Sequence, residues 1–69
     1  MKISARNVLK GTVKDFKSGP VNSQVVVDVG GGNTVTSMIT SDAAADLGIE
    51  TGKSVYVIIK ASEVIIGTD

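Results

Sequence analysis

The chain contains no cysteine and no histidine. The first absence excludes a disulfide framework and a thiol nucleophile, the second an imidazole general base. Together they exclude the common zinc ligand sets. Tryptophan is also absent, and the aromatic side chains are Phe16 and Tyr56 alone. Two rings are too few for a platform on which nucleobases stack. Neither sign of charge is in excess, since seven Lys and Arg balance seven Asp and Glu. Nucleic-acid binding leans on many phosphate contacts and usually a basic surface, so the balance argues against it. No apolar run approaches the roughly 18 residues of a membrane span. Met1-Lys2-Ile3-Ser4 leads into no apolar stretch of the kind a secretory signal carries. The expected compartment is the cytoplasm.

What is present is a short, aliphatic chain. Its 69 residues make a single domain, residues 1–69. A domain of this size buries only about 60% of its unfolded surface and is marginal alone. With disulfides and zinc excluded, oligomerisation is the remedy left. The apolar content is mostly Val and Ile, whose stiff side chains favour strands.

Read in order, residues from Arg6 to Lys17 alternate loosely as one long strand, with Gly11 as a bulge or bend. Ser18-Gly19-Pro20 is a turn. Val21 to Val29 is a second strand, with Val21, Ser23, Val25, Val27 and Val29 on one face. Gly30-Gly31-Gly32-Asn33 turns the chain into a third strand, Thr34 to Thr40. Thr40 or Ser41 then suits a helix N-cap, the three alanines at 43–45 suit its body, and Gly48 suits its C-cap. Ile49 to Lys53 is a loop. Val55 to Ile59 is a fourth strand and Val64-Ile65-Ile66 a fifth. The predicted fold is all-β, a small five-stranded OB-like barrel with one short helix between the third and fourth strands.

Two segments imitate phosphate-binding motifs. Gly48-Ile49-Glu50-Thr51-Gly52-Lys53-Ser54 has three residues between its glycines where a P-loop needs four, and a strand follows where a helix is required. Gly30-Gly31-Gly32 also leads into a strand, so a dinucleotide fingerprint fails and a hairpin turn remains. Seven carboxylates, Asp15, Asp28, Asp42, Asp46, Glu50, Glu63 and Asp69, are scattered with no visible acid–base pair. An enzyme is not expected.

Small hydrogen-bond donors gather at three places. Ser4-Ala5-Arg6-Asn7 opens the first strand, Lys60-Ala61-Ser62 follows the fourth, and Thr40-Ser41-Asp42-Ala43 begins the helix. Each sets hydroxyls or a cation beside alanine, which lets a ligand approach backbone N–H groups. Such a set suits a tetrahedral oxyanion. Taken singly, each has a plainer reading: a surface charge, a helix cap, a charged residue guarding a sheet edge. Lys2 to Val8 also weakly echoes Lys60 to Val64.

Met1-Lys2-Ile3-Ser4-Ala5-Arg6-Asn7, Gly11, Val21-Asn22-Ser23-Gln24-Val25 and Val57-Ile58-Ile59-Lys60-Ala61-Ser62-Glu63-Val64 together resemble the molybdenum-pterin-binding proteins, the molbindins, over nearly the full length. The resemblance implies an OB-like barrel assembled with itself as a hexamer, a trimer of dimers. It implies binding of molybdate, and by similarity tungstate, between subunits, with a role in storage or buffering. Ser4, Ala5, Arg6, Lys60, Ala61 and Ser62 would come from one chain, and Thr40 and Ala43 from its neighbour. A second class of site falls near Val21 and Asn22. The related regulator's DNA-binding domain has no counterpart here, so transcriptional control is not carried over. No pterin pocket is expected with two aromatics. The competing expectation is a non-catalytic structural or sensor module that passes ligand state to a partner protein.

Molybdate is a dianion with acceptors only, so its site has to supply donors. Asp42 and Glu63 lie within or beside the donor clusters and must face away. No side-chain type in the chain has an ordinary pKa near neutrality. Molybdate affinity is therefore expected to stay nearly flat between about pH 6.5 and 8.5, where these donors keep their charge. Calorimetric titration across that window checks it, and a tenfold swing with assembly unchanged would contradict it.

Overall fold

The computed structural model describes residues 1–69. Four strands form one sheet: β1 (Asn7–Lys17), β2 (Asn22–Gly30), β3 (Asn33–Thr40) and β4 (Ser54–Ile59). The helix α1 (Ser41–Leu47) lies between β3 and β4, and a single 3₁₀ turn occupies Ala61–Glu63. All strand pairs are antiparallel, in the order β3-β2-β1-β4. The result is a half-barrel whose open edges are β3 and β4.

Alternation along β2 has the expected phase. Ser23, Val25 and Val27 are buried, while Asn22 and Asp28 are exposed. Val27 sits opposite Val13 of β1 in the sheet register. Val13, Val25 and Val27 make the centre of the core, with Phe16, Val29, Ile39, Ile49, Val55 and Val57 packed partly buried around it. The β2–β3 hairpin turns on Gly31 and Gly32, with φ of 63° and 80°. Positive φ at both central residues is what a type I′ hairpin turn requires and what glycine supplies without strain. The Asp28 carboxylate accepts from the Gly30 N–H at 2.9 Å and steadies the approach to this turn.

The helix is capped as its composition predicts. Thr40 is the N-cap, and its hydroxyl oxygen accepts from the Ala43 N–H at 3.1 Å. Gly48 closes the other end in the left-handed region, at φ 64°. Lys53 Nζ donates to the Leu47 carbonyl at 2.7 Å. That cation sits at the negative end of the helix dipole. The residue that gave the loop its P-loop look is thus a helix cap. At the other end Ser41 Oγ donates to the Gly19 carbonyl at 2.6 Å and lies 2.8 Å from the buried Ser23 hydroxyl. These bonds tie the start of α1 to the β1–β2 turn.

Two expectations are corrected. The fifth strand is absent: Val64, Ile65 and Ile66 form no ladder, and Ile65 and Ile66 are 94% and 82% exposed. Propensity favours a strand there, but a strand needs a neighbour. The turn at Ala61–Glu63 leaves these residues with none in the chain. Four strands rather than five therefore build the half-barrel. Gly11 is not a bulge either. It pairs regularly with Val55 of β4, and the irregularity in β1 lies between Val13 and Asp15.

Close approach explains Gly11. A Cβ there would lie 2.5 Å from the Asp28 carbonyl oxygen and 2.6 Å from a Val27 methyl. β2 folds across β1 at this point, and backbone has little room to give. Gly11→Ala is expected to destabilise the fold by about 1–3 kcal/mol, the usual cost of overpacking. Urea denaturation measures it. An unchanged midpoint would show that the two strands separate there without cost.

Candidate anion-binding site

The antiparallel pairing of β1 with β4 ends with Asn7 opposite Ile59. One step further along the same register, residue 6 faces residue 60. The chain thereby carries Arg6 and Lys60 to matching positions just past the paired strand ends. Ser4 and Ala5 precede the one, and Ala61 and Ser62 follow the other. All six residues line one open cleft of about 680 Å³, with Ile3 and Ile58 as apolar wall. The two clusters that the sequence separates by more than fifty positions are therefore one surface.

Charge and hydrogen bonding in this cleft are one-sided. Its charged side chains are two cations, and no carboxylate lines it. Ser4, Arg6, Lys60 and Ser62 are exposed. None of the four side chains joins the intrachain side-chain hydrogen bonds. Their donors remain available to a ligand. Ala5 is half-buried, and its short side chain keeps the floor of the cleft open. Asp42 and Glu63, which had to face away, are not among the lining residues. Two cations sharing a cleft with no carboxylate give it a positive potential, which favours an anion there.

Thr40 and Ala43 lie elsewhere. Thr40 ends β3, one edge of the sheet, opposite Asn22 of β2. The cleft is at the other edge, on β4, and at the opposite end of β1. Within one chain the helix start is diagonally across the sheet from Arg6 and Lys60. The Ala43 N–H is already donated to Thr40 Oγ1, which leaves the Thr40 O–H as the outward donor of that pair. Val21 and Asn22 share this far corner: the Val21 carbonyl accepts from the Ser41 N–H at 2.8 Å. They do not join the cleft.

The two aromatics are also apart. Phe16 packs on the core. Tyr56 lies in a shallow hollow of about 430 Å³ with Met1, Ile3 and Val8. One contributor escaped the reading of the residues as ligands. Asn7 Nδ2 donates to the Ile59 carbonyl at 3.3 Å, at the last rung of the β1–β4 ladder. Its place in the Ser4–Asn7 cluster was the available signal.

The model of the TOBE domain matches residues 3–66. The chain belongs to the TOBE-domain family. It is 48% identical over 69 residues, the whole of both chains, to a Haemophilus influenzae protein described as a probable molybdenum-pterin-binding protein. The structure of MopII from Clostridium pasteurianum superposes with a TM-score of 0.92, at 40% identity, covering 97% of this chain and 100% of that one. The cytoplasmic molybdate-binding protein ModG, solved with molybdate bound, superposes at a TM-score of 0.94 and 46% identity. That match covers 100% of this chain and 49% of the ModG chain. These TOBE-domain relatives are described as binding proteins. No helix of the TOBE fold seen here is long and apolar enough to cross a membrane.

The paired cations make a prediction that needs no ligand. Lys60→Gln removes one member of a like-charge pair, so thermal stability at low ionic strength should rise. The gain should fade at about 1 M salt, where the Debye length is near 3 Å. A melting temperature that falls at both salt levels would show that Lys60 stabilises the fold instead.

Proposed function

We propose that the chain binds molybdate, and by the same chemistry tungstate, and acts as a cytoplasmic store or buffer without catalysis. The observation that carries this reading is the cleft lined by Arg6 and Lys60 together with Ser4, Ala5, Ala61 and Ser62 and by no carboxylate. A donor-only site suits a dianion that only accepts hydrogen bonds. The two cations balance its charge. ModG, solved with molybdate bound, shares this fold at 46% identity, which supports molybdate as the ligand.

The molbindin resemblance assigns part of the site to a neighbouring copy, and the placement of those residues supports it. Thr40 and Ala43 belong to the proposed site but lie at the opposite corner of the same chain. A second copy has to bring them to the cleft, with the Thr40 O–H donating to the anion and Ala43 giving it room. By the same resemblance the molecule is a homo-oligomer, a hexamer built as a trimer of dimers, with Val21 and Asn22 near a second class of site at its axes. The small core supports this, since Val13, Val25, Val27 and Ala44 are its buried hydrophobic residues.

Native mass spectrometry and calorimetry with molybdate test the reading together. Molybdate should favour the oligomer by about 2.7 kcal/mol per site at 100-fold excess over the dissociation constant. Arg6→Ala should weaken binding about 10- to 150-fold, the loss of one charge-assisted bond of roughly 1.5–3 kcal/mol. Phosphate should compete poorly, because its protonated form brings a donor to a site of donors. Sulfate is excluded only by its smaller size. A chain that stays monomeric at high concentration with molybdate present would overturn the shared site.

A further inference from the structure

Asn7 lies at the last rung of the β1–β4 ladder, opposite Ile59. It is half-buried, and its amide donates to the Ile59 carbonyl at 3.3 Å, across 52 positions of sequence. This is the side-chain hydrogen bond that joins the two strands carrying the cleft. The other side-chain bonds serve the helix caps, the β1–β2 turn and the β2–β3 hairpin. Beyond this rung come Arg6 and Lys60, the two cations that line the cleft.

The Ile59 carbonyl and the Lys60 N–H belong to one trans peptide and point in opposite directions. Holding the carbonyl toward β1 turns the Lys60 N–H away from β1 and fixes the direction in which residues 60–62 leave the sheet. Asn7 is absent from the cleft lining, and its carbonyl oxygen would repel an anion that only accepts. A ligand role fits it poorly; a clamp fits it well.

We propose that Asn7 is the positioning residue of the anion site, its amide setting the spacing of Arg6 and Lys60 before any ligand arrives. This rests on the molybdate reading, and its value to binding is preorganisation: a site already spaced spends less of its interaction energy on ordering.

A double-mutant cycle tests it, with molybdate as the probe and assembly checked by size exclusion. Asn7→Leu keeps the bulk and removes the donor; Asn7→Ala serves if the leucine variant does not fold. With Arg6 intact, either should weaken molybdate binding about 3- to 10-fold, the span of one neutral hydrogen bond. In an Arg6→Ala background the same change should cost less than about 2-fold, because the spacing no longer has a guanidinium to place. Equal losses in both backgrounds, or no loss in either, would overturn the clamp. Amide exchange at Glu63, whose N–H donates to the Lys60 carbonyl at 2.9 Å, gives a readout in the ligand-free protein independent of the anion. It should quicken in the Asn7 variant, and unchanged exchange would overturn the clamp. Wild-type protein that fails to bind molybdate, with exchange still quickened in the Asn7 variant, would overturn the molybdate reading and leave the clamp standing.

Discussion

The pairing of β1 with β4 is the interaction on which the rest of this molecule depends. It joins the beginning of the chain to its end in an unbroken register from Asn7 opposite Ile59 to Thr12 opposite Ser54. At one extremity it delivers Arg6 and Lys60 to the same place. Toward the other, Gly11 lets β2 fold across β1, with its missing Cβ leaving room for the Asp28 carbonyl and Val27. The Gly52 N–H to Val13 carbonyl bond, at 2.8 Å, fastens the loop before β4 to the same strand. Positive charge at one end of β1 and the close packing of β2 toward its middle are thus both organised on this strand.

The fold is also incomplete in a specific way. Its sheet has two free edges, its last apolar residues are exposed, and its predicted site is divided between opposite corners. Each of these is a cost for an isolated chain. A chain that binds its ligand between copies resolves the third and can cover exposed apolar surface at the same time. The ligand then acts as a bridge whose binding energy appears as stability of the assembly.

Much of this was legible from residues alone because the signals are local. The helix announces itself through Thr40, three alanines and Gly48. The hairpin does so through Gly31 and Gly32, and the core face through alternation in β2. What was not legible depends on partners distant in sequence. Val64-Ile65-Ile66 has strong strand propensity, yet propensity does not supply a neighbouring strand. Gly11 looked like a bend because its reason lies in β2. In the sequence Lys53 reads only as part of a loop, because its partner, the Leu47 carbonyl, becomes its neighbour only after the helix closes. The Ser-Ala-Arg and Lys-Ala-Ser clusters were each ambiguous alone, and the strand register brings them to one cleft. That Thr40 and Ala43 fall at the far corner is a fact of topology, to which composition is blind.

The most direct test of the central claim is a crystal structure of the assembled protein grown with molybdate, with molybdenum located by its anomalous scattering. The account predicts a peak in the cleft with Arg6 and Lys60 of one copy and Thr40 of another within hydrogen-bonding reach of the oxyanion. A peak away from the Arg6–Lys60 cleft, or one bounded by a single copy, would contradict it.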